Sequence, residues 1–129
     1  MDHAFIEMLW RDWSPGYDAS FDLEFVRKSL ADPKNLQAAL GYYRAALGDG
    51  YRDPQLSELQ SQMGSGVPTQ PLLYLHGTDC GCIGTDVFES AKSMAPANVK
   101  FEVVAAAGHF LQLEQPEKVN KLICEFLAR

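Results

Sequence analysis

Long apolar runs are missing from this sequence of 129 residues. No stretch approaches the roughly 20 apolar residues that a membrane-spanning helix needs. Positive charge is scarce as well: 11 Lys and Arg stand against 17 Asp and Glu, for a formal net charge of -6. Nucleic acid and anionic membrane surfaces both reward Lys and Arg patches, so neither is expected as a partner. No run of five like charges occurs. Cysteine is limited to Cys80, Cys82 and Cys124. Nothing in that odd count suggests a disulfide scaffold, and a reducing cytoplasm is the expected location. The opening Met1-Asp2-His3-Ala4-Phe5 has neither the positive flank nor the apolar stretch of a secretory signal, in line with that expectation. Cys80-Gly81-Cys82 has no second pair of ligands, so no zinc site is expected, and a disulfide across one residue would be strained. There is no internal repeat.

What is present is enough for a packed core in one small domain, with 47% hydrophobic and 22% charged residues. The first half reads as helices. Asp2 can cap a helix with Phe5, Ile6, Leu9, Trp10 and Trp13 on one side, and Ser14-Pro15-Gly16 stops it. A second helix is expected from about Phe21 to Leu30, with Leu23, Val26 and Leu30 on one face. Asp32-Pro33 is a cap followed by a first-turn proline and starts a third, which presents Leu36, Leu40, Tyr43 and Leu47 until Gly48-Asp49-Gly50. Asp53-Pro54 repeats the device for a short helix reaching about Met63. Trp10, Trp13, Tyr42 and Tyr43 have helical spacing and are expected as core of this helical segment.

After the linker-like Gly64-Ser65-Gly66-Val67-Pro68 the pattern changes. Leu72-Leu73-Tyr74-Leu75 is a continuous apolar run ending at His76-Gly77, as in a strand buried on both faces. A helix from about Thr85 to Ala95 follows, then a strand from Val99 to Val104. Gln115-Pro116 opens a last helix whose apolar face is Val119, Leu122, Ile123, Phe126 and Leu127, with Cys124 expected to pack as a small hydrophobe. Strand, helix, strand, helix is a βαβ crossover with a closing helix, so the fold class is α/β with parallel strands. Two parallel strands are too few. Each wants neighbours on both edges and cover on both faces, so the sheet is expected to be incomplete as one chain. A complementary chain, a second copy or an upstream half would complete it.

In an α/β sheet, functional residues gather past the carboxyl ends of the strands. Those positions are His76 to Cys82 and Ala106-Ala107-Gly108-His109-Phe110. An acid and a histidine on neighbouring loops suit the supporting members of a nucleophile-His-acid triad. The imidazole takes a proton from the nucleophile or from water, and the acid fixes its tautomer. A histidine that merely ends a loop is the plainer alternative for His109, as it is for His76 at the strand end and for His3 near the terminus.

The run from Pro71 through Leu75 to His76-Gly77-Thr78-Asp79 resembles the seventh strand and acid loop of α/β-hydrolases. Gly108-His109-Phe110-Leu111-Gln112-Leu113-Glu114-Gln115-Pro116-Glu117 resembles the loop that carries their catalytic histidine. Residues 1–63 look like cap helices of the epoxide-hydrolase-like and haloalkane-dehalogenase-like members, with Trp10-Arg11-Asp12-Trp13-Ser14-Pro15-Gly16 as the most similar stretch. The resemblance implies a helical cap-like segment over 1–63 and the last two parallel strands and helices of the sheet over 64–129. It also implies His109 as the triad histidine, no cofactor, no metal, and hydrolysis of a small apolar ester or epoxide.

Two departures qualify it. No Gly-x-Ser/Asp/Cys-x-Gly elbow lies at a strand-to-helix turn, so the nucleophile and the oxyanion loop are expected outside this chain. The family places its carboxylate three residues after the glycine, where this chain has Cys80. Asp79, one position earlier, is the candidate acid after a local backbone shift, with Asp86 a distant second. Some members take the acid from the loop after the sixth strand instead. The alternative to an enzyme part is a non-catalytic remnant or subunit that assembles with a complementary chain or a second copy.

Overall fold

A computed structural model describes residues 4–65 and 69–128. The expected cap at Asp2 and the last three residues of the linker, 66–68, lie outside the described residues, as does His3. The helices are α1 (Ala4–Trp13), α2 (Ser20–Ser29), α3 (Pro33–Leu47), α4 (Ser57–Ser65), α5 (Thr85–Met94), the short α6 (Leu111–Glu114) and α7 (Pro116–Leu127). The strands are β1 (Leu72–Gly77) and β2 (Val99–Val104), and a 3₁₀ turn at Pro54–Leu56 precedes α4.

Two compact units emerge, and they do not follow chain order. Residues 20–65 make one; residues 4–19 together with 69–128 make the other. The boundary expected at residue 63 therefore separates the later helices from the sheet, but α1 groups with the sheet.

In the helical unit the caps are set locally. Asp32 accepts the Lys34 N–H at 2.8 Å, and Asp53 accepts the Gln55 N–H at 2.9 Å, each with proline at the first helical position. Arg52 closes the far end of α3: its Nε donates to the Ala45 carbonyl at 2.6 Å and its Nη2 to the Gly48 carbonyl at 3.3 Å. The expected core here does not form. Tyr42 and Tyr43 stack edge to face at 4.9 Å, yet both are exposed, and neither α2 nor α3 buries a residue. Helical spacing put these residues on one side without providing a surface to cover them.

The sheet unit has a core. β1 and β2 pair in parallel, with Leu72 opposite Val99 and Gly77 opposite Val104. The chain passes between them through α5, as the apolar run and the helical period predict. Strand alternation sorts the side chains. Tyr74, His76 and Phe101 form an aromatic layer with Phe88 of α5, whose ring lies 4.7 Å from His76 and 5.7 Å from both Tyr74 and Phe101. On the other face Val104 packs with Ala107, Val119 and Leu122, against Leu75 and Leu111. Two strands, one helix on each face, and no strand beyond either edge among the described residues make this a partial α/β arrangement. In α7, Val119 and Leu122 are buried as expected, while Cys124, Ile123 and Leu127 are exposed. Among the described residues, no helix is long and apolar enough to cross a membrane.

Candidate functional site

The ends of β1 and β2 bring two loops together. Thr78 continues the ladder, donating its N–H to the Val104 carbonyl at 3.0 Å, and Asp79 donates to the Ala107 carbonyl at 2.9 Å. The approach is close enough that a Cβ on Gly77 would strike the carbonyl oxygens of Ala107 and Gly108. Ala106 takes a left-handed conformation, φ 54°. It is held there from both sides: its N–H donates to Thr78 Oγ1 at 3.0 Å, and its carbonyl accepts Gln115 Nε2 at 3.0 Å.

The carboxyl end of α1 supplies the third wall. A helix leaves its last carbonyls without partners inside the helix. Here the Trp13 carbonyl accepts the N–H of His109 at 2.9 Å and of Gly81 at 3.1 Å, one from each loop. Ser14 is only 1% exposed. Its Oγ donates to Glu114 Oε1 at 2.7 Å and accepts the Phe110 N–H at 3.1 Å, while Glu114 Oε2 accepts the Gly108 N–H at 2.8 Å. One carboxylate and one hydroxyl thus hold the backbone on both sides of His109.

The His109 ring stands edge-on to Trp13, 5.0 Å between centroids, and to Phe110, 5.3 Å. Phe110 in turn stacks on Trp10 at 4.0 Å. The side chain facing Nδ1 of His109 is Cys80, whose Sγ lies 3.4 Å away. The same sulfur accepts the Ile83 N–H at 3.4 Å. Cys80 is half-buried, whereas Cys82 and Cys124 are exposed.

The structure thus brings His109 to the loop after β1, but the group at Nδ1 is Cys80, three residues after Gly77, and not Asp79. Asp79 lines a separate depression with Pro15, Gly16, Tyr17, Ala106 and Glu114. Asp86 lies in the first turn of α5. His76 is 4% exposed, and its Nε2 has no hydrogen-bond partner among the described residues. Burial pulls its pKa below the ordinary 6.5, and His109 nearby lowers it further. Among the described residues, no group of three or more His, Cys, Asp or Glu side chains is placed to hold a metal ion.

Sequence reasoning missed Trp13 and Ser14 as supports of the site. Ser14-Pro15-Gly16 carried a helix-stop signal and nothing that pointed to His109. Glu114 did carry a signal, five residues after His109 in the histidine-loop pattern, though its role as a clamp was not visible.

Parallel strands, a crossover helix and a histidine held past the strand ends against a neighbouring loop define a partial α/β unit with a candidate imidazole centre. The chain is similar to the epoxide hydrolase B of two strains of Mycobacterium tuberculosis, with 30% identity over 107 residues. The match takes in 81% of this chain and 26% of the relative, so the chain spans about a quarter of the length of the curated relatives it matches. No family model matches the sequence, and no solved structure matches the chain.

Proposed function

We propose that this chain is the C-terminal part of an α/β-hydrolase. Residues 1–63 would supply cap-like helices, and residues 64–129 the βαβα end of the core. Its substrate is a small, mainly apolar ester or epoxide, with the epoxide favoured by the name of the relative. The observation that carries the reading is His109, held past the end of β2 with its Nδ1 against a side chain from the loop after β1. In such a site a nucleophile from outside the chain attacks the substrate, and the imidazole takes a proton from that nucleophile or from water. Cys80 holds the ring in place. The carboxylate that balances an imidazolium comes from Asp79 after a backbone shift, or from outside the chain. A cytoplasmic location belongs to this reading.

A second reading rests on the sheet, whose two strands each have an outer edge without a strand partner among the described residues. On it the chain is a non-catalytic subunit or remnant that assembles with a complementary chain or a second copy.

Activity separates the two. The purified chain alone should give no repeated turnover of p-nitrophenyl acetate or styrene oxide. Reading the coding DNA upstream of Met1 in all frames should show a Gly-x-Ser/Asp-x-Gly elbow. The longer protein should hydrolyse substrate and lose about 10⁴-fold or more in kcat on His109→Ala, as loss of a triad member does. A longer protein indifferent to that substitution removes His109 as the base, and absence of any elbow leaves the subunit reading. Repeated turnover by the chain alone, lost in His109→Ala or Cys80→Ala, would place the nucleophile within these residues.

A further inference from the structure

The contact between Cys80 and His109 joins a nucleophilic atom to a base, and the function proposed above uses the thiol only to hold the ring. Three features set Cys80 apart from the other two cysteines. Its sulfur is 3.4 Å from an imidazole nitrogen. It also receives a backbone N–H, that of Ile83. And the imidazole it faces is flanked by aromatic rings, Trp13 at 5.0 Å and Phe110 at 5.3 Å. His76 lies on β1, in the layer with Tyr74 and Phe88. It is the buried side chain whose Nε2 lacks a partner among the described residues, and it stands close enough to His109 for their charges to interact. A thiol and a base in contact at the mouth of two loops are the ingredients of nucleophilic chemistry.

We propose that Cys80 and His109 form a nucleophilic thiol–imidazole pair that captures a small, uncharged epoxide as a thioether on Cys80. The pair rests on its own geometry; the epoxide class rests on the reading given under the proposed function. In the step, the Cys80 thiol gives its proton to His109 Nδ1, and the sulfur attacks the less hindered ring carbon. The C–S bond forms as the C–O bond breaks, and the electron pair goes to the ring oxygen. That oxygen takes the proton back from the imidazolium. The epoxide is added whole across S–H, nothing is oxidised or reduced, and no water is consumed. A thioether does not hydrolyse under these conditions, so each chain reacts once and stops. The apolar rings around His109 suit an alkyl or aryl epoxide over a charged one.

The test is site-resolved mass spectrometry of the intact chain under reducing conditions with styrene oxide, and separately with iodoacetamide. Cys82 and Cys124 are the internal standards, since exposure alone would make them react first. Cys80 should gain the mass of the whole epoxide about 10²-fold faster than Cys124, the lower end of what a positioned base contributes. His109→Gln and His109→Ala should bring Cys80 down to the rate of Cys124 while leaving that standard unchanged. The comparison within the unmodified chain stands even if both variants fail to fold. Equal rates at Cys80 and Cys124 with both reagents overturn the pair. A Cys80 preference that persists without His109 overturns the role of the imidazole. Preference with iodoacetamide but none with styrene oxide overturns the epoxide assignment. Failure of the hydrolase reading shows instead as a longer protein that forms no diol in its first turnovers, before Cys80 is labelled.

Discussion

Ser14 and Glu114, a hundred residues apart in the chain, share a hydrogen bond of 2.7 Å beneath the loop that carries His109. Ser14 passes the connection on by accepting the Phe110 N–H, and Glu114 by accepting the Gly108 N–H. The imidazole is thus flanked by two backbone amides that are both tied down.

Ser14→Ala removes a buried hydroxyl with two partners, one of them charged. Each lost bond leaves a group half satisfied, and together they should cost about 2–4 kcal/mol of unfolding free energy. The urea midpoint should fall, and amide exchange at Gly108 and Phe110 should quicken. An unchanged midpoint would show that the clamp contributes nothing.

Ala106 is the non-glycine residue in the left-handed region among those described. An L side chain held there is strained by roughly 1–2 kcal/mol. Ala106→Gly should relieve the strain and lose part of the gain to unfolded-chain entropy. A net gain of about 1 kcal/mol, read as a rise in thermal midpoint, is expected. A fall would mean that the Ala106 methyl does more than the backbone strain costs.

His76 has its pKa below 6.5 because burial disfavours the imidazolium, with His109 adding to the effect. Below about pH 6.5 the unfolded chain binds this proton and the folded chain does not. Stability present above that pH is therefore lost as pH falls through the lowered folded value. Urea midpoints measured from pH 7.5 to 5 should drop more steeply in the native chain than in His76→Phe, which keeps a ring stacked on Phe88. Parallel pH profiles for the two would contradict the assignment.

Both outer edges of the two-stranded sheet lack a strand partner among the described residues, and Val103 on β2 is 45% exposed. Open apolar edges recruit further strands. Light scattering on a size-exclusion column should give a mass above 14.3 kDa that rises with concentration. A monodisperse monomer with cooperative unfolding would show that the sheet is sufficient as it stands.

Local signals were the legible ones. Asp32-Pro33 and Asp53-Pro54 specify their caps within three residues. Leu72 to Leu75 announces a buried strand because both faces are apolar, Val99 to Val104 announces one by alternating Val99, Phe101 and Val103 with Lys100 and Glu102, and the single crossover then leaves little choice of pairing. Cys80 was recognised as standing at the acid position, but the residue types drew the chemistry to Asp79. In a tight loop, successive side chains point in different directions, and a carboxylate one residue out of place faces another depression. The docking of Trp13 and Ser14 onto the His109 loop left no periodic trace, since it joins segments 96 residues apart. Tyr42 and Tyr43 show the converse: spacing marks a face, but burial requires a second surface.

The single Trp13 carbonyl that receives both Gly81 and His109 has a consequence for biosynthesis. The Trp13 anchor leaves the ribosome before either of the two loops that fasten to it, and the His109 loop follows it by 96 residues. A nascent chain that has not yet reached Gly108 can have α1 and β1 but no closed centre. Contacts of such separation are slow to form, because most of the chain must be brought round before they give anything back. The imidazole–thiol centre is therefore a late product of folding, and a chain released early by a premature stop carries Cys80 as an ordinary thiol.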